Sequence, residues 1–226
     1  MKAGAVASHL IHVAKAPPVK KFERGVRDEW RLFLRNSDKN PPLAFSVHEI
    51  GNAIGLMKSG TAPGYDNIHP EFIKHLGPMA RKWLARFFTR TLSENKIPKT
   101  WRSAKIIAIG KPGKDLSSAA NYRPISLLSV CYKLLERLVL QRISPAVESL
   151  LSPDQAGFRS NRSTCDQVAA LTTYIENGFQ QQLKTGAVFL DLTAAYDTIW
   201  HTGLLVKLSR NLPSWFVRAT DLLLKE

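Results

Sequence analysis

Cysteine is nearly absent: the chain has two, Cys131 and Cys165, with no C-x-x-C pair and no histidine cluster beside them. That leaves no disulfide framework and no structural zinc site, and it fits a reducing compartment. Long apolar runs are missing as well, none being long enough to span a bilayer. No internal repeat or low-complexity block interrupts the 226 residues, a length that suits one large domain or two small ones. Acids are scarce, 18 against 32 Lys+Arg, for a formal charge of +14. The deficit is uneven. Residues 1–120 hold 21 Lys+Arg against 9 Asp+Glu, whereas residues 121–226 hold 11 against 9. Such asymmetry suits a polyanionic partner, nucleic acid ahead of a membrane surface, and suits a solvated basic face equally. Residues 1–22 contain no acid and four lysines, but no arginine and little serine, a weak match to an organellar presequence.

What is present centres on Gly186 to Trp200, G-A-V-F-L-D-L-T-A-A-Y-D-T-I-W. Ala187 to Leu192 is a short apolar run of strand formers broken by Asp191, and it predicts a buried strand. A carboxylate there is costly unless donors or a cation meet it, and a hard ion such as Mg²⁺ prefers such oxygens. A strand ending in a capping aspartate is the plainer alternative.

In chain order, residues 1–45 read as a leader and connector. Lys20 to Arg35 suits a helix, stopped by Asn40-Pro41-Pro42. Ser46 and Glu49 form a capping box for a helix carrying Val47, Ile50, Ile54 and Met57, ended by Gly60. The turn-rich stretch Lys58 to Asn67 follows, then a short helix over Pro70 to His75, broken at Gly77-Pro78. Met79, Trp83, Phe87 and Leu92 predict an amphipathic helix with its aromatics in the core and Arg81, Lys82, Arg86 and Arg90 on other faces. Lys105 to Ile109 is a strand, and Asn121 to Ser126 a second extended segment. The turn between them carries Lys111 and Lys114, which suit a phosphate or a solvated hairpin tip. Ser129 to about Leu150 is helical, with Leu134, Leu135, Leu138 and Ile143 as its stripe. A polar loop from Ser152 leads to a helix capped by Thr164 and Gln167, with Val168, Leu171 and Ile175 on the buried face. Trp200 to Leu208 and the segment after Pro213 complete the helices. Irregular alternation of helix and strand favours an α+β fold.

Five ordered blocks carry a resemblance: K-S-G-T-A-P-G-Y-D-N, I-I-A-I-G-K-P-G-K-D, N-Y-R-P-I-S-L-L, L-S-P-D-Q-A-G-F-R-S-N-R-S-T and V-F-L-D-L-T-A-A-Y-D-T-I-W-H. Together, over residues 45–226, the sequence resembles the reverse transcriptase domain of non-LTR retrotransposons, the jockey-like and LINE-type elements. The resemblance implies a right-hand polymerase fold, here the fingers and the beginning of the palm over residues 46–226. It implies Asp191 as the aspartate bridging two catalytic Mg²⁺ ions, with the Leu192 backbone carbonyl as a further metal ligand. Tyr196 corresponds to the residue under the nucleotide sugar, whose ring would exclude a 2′-hydroxyl. Lys111 and Arg123 would face the incoming triphosphate, where fixed cations stabilise a transferring phosphoryl group. Gln155, Gly157, Phe158 and Arg159 match the block beside the template–primer, the glycine allowing close approach, and Arg162 would reach a phosphate. Asp197 would be a structural turn acid.

The implied partners are an RNA template, a DNA primer and dNTPs, without a membrane, inside the cell in cytoplasm or nucleus. The sequence also departs from the family: its second catalytic block pairs two adjacent aspartates, and none are adjacent in these 226 residues. The expectation is therefore a truncated domain without activity alone. A non-catalytic nucleic-acid-binding remnant is the rival reading.

Overall fold

A computed structural model of the chain describes residues 20–38, 43–192, 195–196 and 198–224. The presequence question, the stop at Asn40-Pro41-Pro42 and the role of Asp197 lie outside them. The described chain divides into two compact units, one within residues 1–144 and 194–226, the other within 145–193.

In the first unit, α1 (Lys20–Asn36) packs along α7 (His201–Ser209). Its Phe22 ring lies 6.1 Å from that of Trp200, and Glu29 pairs with Arg210 at 2.9 Å. The capping box forms as expected at α2 (Val47–Gly55): Glu49 N–H donates to Ser46 Oγ at 3.1 Å, and Ser46 N–H to Glu49 Oε2 at 2.8 Å. This helix stops at Gly55, short of Gly60. Gly60 instead sits in a later turn at φ 72°, where its amide donates to Glu71 Oε1 at 2.5 Å.

Two helices follow, one short and one long. Helix α3 (Pro70–Lys74) opens on proline, and α4 (Pro78–Ser93) opens on proline after Gly77, which suits residues lacking or not needing an N–H in the first turn. The apolar face of α4 matches the one expected only in part: Leu92 is buried and Phe87 packs against the core, as expected. Leu84, Ala85, Phe88, Thr91 and Leu92 are buried, while Met79 and Trp83 are 80% and 60% exposed. The sequence offers two stripes, 79/83/87 and 84/88/92, and only one can face the core. Ala85, beside the second stripe, is buried with it.

Strands β1 (Lys105–Gly110) and β2 (Tyr122–Leu127) form an antiparallel pair, with Ile109 opposite Arg123 and Gly110 opposite Tyr122. Helix α5 (Val130–Glu148) buries Leu134, Leu135, Leu138 and Ile143, the stripe read from the sequence. Leu134, Leu135 and Leu138 pack with Ile50, Ile54, Phe88, Trp101 and Leu222 of α8 (Ser214–Leu224) into one core. Tyr132 donates its hydroxyl to the Leu223 carbonyl at 2.8 Å. The architecture is α+β, helical with a small sheet.

The second unit starts at Pro145 within α5 and contains α6 (Thr164–Gln180). The cap of α6 is Ser163 with Asp166, one residue before the expected Thr164 and Gln167. Asp166 supplies the acid that returns to the Ser163 amide at 2.8 Å, so Thr164 becomes the first helical residue. No residue of α6 is buried: against expectation Val168 and Leu171 are exposed and Ile175 is half-buried, with no described apolar side chain of the unit packed over them. The expected strand over 187–192 is likewise absent. Among the described residues the only sheet is the β1–β2 pair, so this run has no ladder to join, and Val188, Phe189, Leu190 and Leu192 lie exposed.

Candidate nucleotide and nucleic-acid site

The hairpin positions the first group. Residues facing each other across an antiparallel pair point to one side, and every second residue returns to it. Arg123 stands opposite Ile109, and the Lys111 N–H donates to Asn121 O at 2.8 Å, which carries the same alternation one step further. Lys111 and Arg123 therefore share a face, one diagonal step apart. Their states differ. Arg123 is exposed and, among the described residues, makes no hydrogen bond or ion pair. Lys111 Nζ donates to the Ala120 carbonyl at 2.7 Å, which draws it across the turn.

That turn is built by its own side chains. Gly113 takes φ 67°, Asn121 Nδ2 donates to Asp115 O at 2.7 Å, and the Ser117 amide donates to Asp115 Oδ1 at 2.9 Å. The Ser117 hydroxyl and amide hold the Asp115 carboxyl below its usual range. The acid is thereby engaged by Ser117 within the loop.

In the second unit the loop after α5 turns on Arg159. Its Nε donates to Glu148 Oε1 at 3.0 Å and its Nη1 to the carbonyls of Ser152 and Gln155 at 2.7 and 3.0 Å; Nη2 also meets Glu148. The side chain is only 8% exposed. Arg159 thus holds the loop instead of facing outward. Around it, Gln155 and Arg162 are exposed, and Phe158 is 97% exposed at φ 60°. A left-handed backbone at a bulky residue carries strain. Nothing lies within 4 Å of where a Cβ would stand on Gly157.

Asp191 and Leu192 are exposed, and Tyr196 of the first unit is 68% exposed. A hard divalent ion takes about six oxygen ligands. Among the described residues no three His, Cys, Asp or Glu side chains gather to hold one. Asp191 with one carbonyl does not make a metal centre, so the described residues do not fit the two-ion site that the resemblance implies.

Two further features were not legible in the sequence. Ser129 donates its hydroxyl to Asp66 Oδ2 at 2.6 Å, and Gly64 lies against the backbone of Leu128 and Ser129, fastening the 58–67 stretch to the start of α5. Beside this contact a groove of about 400 Å³ has Lys58, Lys133 and Arg137 around Met57, Pro70 and Leu134. Only the i, i+4 spacing of Lys133 and Arg137 hinted at it.

The comparisons with known proteins bear on this arrangement. Residues 109–220, which run from β1 into α8 and include Lys111, Arg123, Asp191 and Tyr196, match the model of the reverse transcriptase (RNA-dependent DNA polymerase) family. The chain belongs to the reverse transcriptase family. Over 170 residues it is 39% identical to the probable RNA-directed DNA polymerase from transposon BS of Drosophila melanogaster, covering 74% of this chain and 19% of that protein. It is 34% identical over 175 residues to the RNA-directed DNA polymerase from mobile element jockey of the same species, covering 76% and 19%. The corresponding protein of its X-element is 32% identical over 176 residues, covering 77% and 19%. The chain thus spans about a fifth of the length of these curated relatives. Reverse transcriptases generally use divalent metal ions. No described helix is long and apolar enough to cross a membrane.

Proposed function

We propose that this chain supplies the nucleotide-facing fingers and first palm segment of an RNA-directed DNA polymerase of a non-LTR retrotransposon, running from residue 46 to 226. One observation carries the reading: Arg123 stands, among the described residues, unpartnered on the hairpin face it shares with Lys111, inside the segment that matches the family. A guanidinium and an ammonium fixed on one rigid ribbon suit the oxygens of a dNTP triphosphate, whose charge they would neutralise as the phosphoryl group transfers. The Nζ bond of Lys111 is to an uncharged carbonyl, so a phosphate, which carries charge, would compete for the ammonium.

Asp191 and the Leu192 carbonyl are the oxygens this chain would give to Mg²⁺, and Tyr196 the ring that would bar a 2′-hydroxyl. Gln155, Gly157, Phe158 and Arg162 would line the path of template and primer, with Arg159 as the residue positioning that loop. The place of work is inside the cell, in cytoplasm or nucleus. Because these 226 residues contain no adjacent aspartate pair, they would not extend a primer by themselves. The rival, a nucleic-acid binder without catalysis, draws on the exposed and solitary Asp191.

The test is dNTP binding to the 226-residue chain, followed by competition with a fluorescent nucleotide. Lys111→Gln with Arg123→Gln should weaken dNTP about a hundredfold or more, since each charged hydrogen bond contributes roughly 1.5–3 kcal/mol. RNA binding should fall far less. Equal dNTP affinity in the double variant would contradict the triphosphate assignment.

A further inference from the structure

Helix α4 carries four basic residues, Arg81, Lys82, Arg86 and Arg90, and no acid. Positions 79, 82, 83, 86, 87 and 90 fall at i, i+3, i+4, i+7, i+8 and i+11, which places them along one side of the helix. They are Met79, Lys82, Trp83, Arg86, Phe87 and Arg90, cations interleaved with apolar side chains on the side away from the buried Leu84, Phe88 and Leu92. Arg90 is paired with Glu94 at 2.6 Å. Lys82 and Arg86 are exposed and, among the described residues, make no hydrogen bond or ion pair.

The rings are ordered. Trp83 stacks on Phe87 with centroids 4.9 Å apart and planes within 8°, and Phe87 meets Trp101 edge-on at 5.8 Å. Trp101 in turn contacts Tyr132 at 5.9 Å in the core. A line of aromatic contacts therefore runs from the core to the surface and ends on Trp83, which is 60% exposed. One side of the indole is held by Phe87, which fixes its plane and leaves the rest to solvent.

We infer that this side of α4 is a binding platform for single-stranded RNA, with a base stacking on Trp83 and Lys82 and Arg86 taking the flanking phosphates. A π-face held in place beside unpaired cations is what an unpaired strand needs, and it asks for no particular sequence. An acidic apolar protein surface would meet the same cations, but it would not need a ring held coplanar with a second one. The platform goes beyond the polymerase reading, because it involves neither the hairpin nor Asp191.

The experiment titrates the 226-residue chain with a short fluorescein-labelled oligoadenylate across ionic strength, without dNTP or primer. Trp83→Ala should weaken binding about tenfold, with the salt slope unchanged, because it removes a stacking surface and no charge. Trp83→Phe should restore most of the affinity. Lys82→Gln with Arg86→Gln should lower the logarithmic salt slope by roughly 1.4, about 0.7 for each single-strand phosphate left without its cation. Unlabelled single-stranded RNA should compete better than a duplex of equal length. Trp83 lies outside the core, so the thermal melts of the variants serve as a folding control. Wild-type affinity in a folded Trp83→Ala variant would overturn the proposal, as would equal competition by duplex or no binding of oligoadenylate by the unaltered chain. Loss of dNTP binding in the hairpin variants would leave this outcome untouched, so the two readings fail separately.

Discussion

Arg142 on α5 grips Glu49 on α2 with two hydrogen bonds, Nε to Oε1 at 2.7 Å and Nη2 to Oε2 at 3.0 Å, across 93 residues of chain. The same guanidinium donates to the carbonyls of Leu43 and Ala44 and lies 4.1 Å from the centroid of the Phe45 ring. Glu49 is also the third residue of α2 and closes its capping box, so one carboxylate starts a helix and fastens it to the core helix.

The first prediction concerns acid. The Arg142 hydrogen bond, helped by the Ser46 amide and hydroxyl against some desolvation, holds the Glu49 carboxyl down to about 2, from a usual 4.5. A carboxylate with a depressed folded pKa adds stability that is present above its unfolded value and lost as pH falls through its folded value. The window therefore runs from about pH 4.5 down to about pH 2. Glu49→Gln should cost about 1–2 kcal/mol at pH 7, discounted for partial exposure, and much less at pH 2. Urea melts at both pH values check this, and an equal cost at both would contradict it.

Two glycines should respond oppositely to alanine. A Cβ on Gly64 would stand 2.7 Å from Ser129 N and 2.8 Å from Leu128 C, both backbone atoms that cannot swing aside. Gly64→Ala should destabilise by roughly 1–3 kcal/mol. A Cβ on Gly157 meets nothing within 4 Å. Gly157→Ala should leave the melt nearly unchanged while weakening nucleic-acid binding, if the template backbone passes there.

Arg159 and Arg162 stand three positions apart with different tasks. Arg159→Ala strips Glu148 and two carbonyls of their donor, so residues 152–163 should be cleaved faster in limited proteolysis. Arg162→Ala should leave the proteolysis pattern intact and reduce the salt dependence of RNA binding by roughly 0.7 in slope. Identical proteolysis of Arg159→Ala and wild type would remove its positioning role.

Local patterns made much of this legible from the sequence. Ser46 with Glu49, the stripe Leu134, Leu135, Leu138 and Ile143, and the two strand segments are set by neighbours a few residues away, and all three form. Phase was harder. The sequence contains both a Trp83 stripe and a Phe88 stripe, and only the tertiary packing of the core chooses between them. Strand 187–192 failed for a related reason, since an apolar run becomes a strand only where a neighbour accepts its hydrogen bonds. The Asp66–Ser129 bond joins residues 63 apart, and no spacing rule reaches that far. For the candidate site, Lys111 and Arg123 on one face could be foreseen from motif order, whereas the inward turn of Arg159 depended on where α5 placed Glu148.

The central claim is that Asp191 belongs to a polymerase site to which this chain contributes. It is tested most directly by joining residues 46–226 to the segment that follows the matching region in the jockey relative and measuring Mg²⁺-dependent primer extension on an RNA template. Extension should appear, and Asp191→Asn should abolish it by several orders of magnitude, more than the roughly 10²–10³ typical of one lost hydrogen-bond donor. Tyr196→Ala should retain extension and admit ribonucleotides. The unaltered 226 residues alone should show nothing above their Asp191→Asn variant. Equal extension by the joined protein with Asp191 and with Asn in its place would contradict the account.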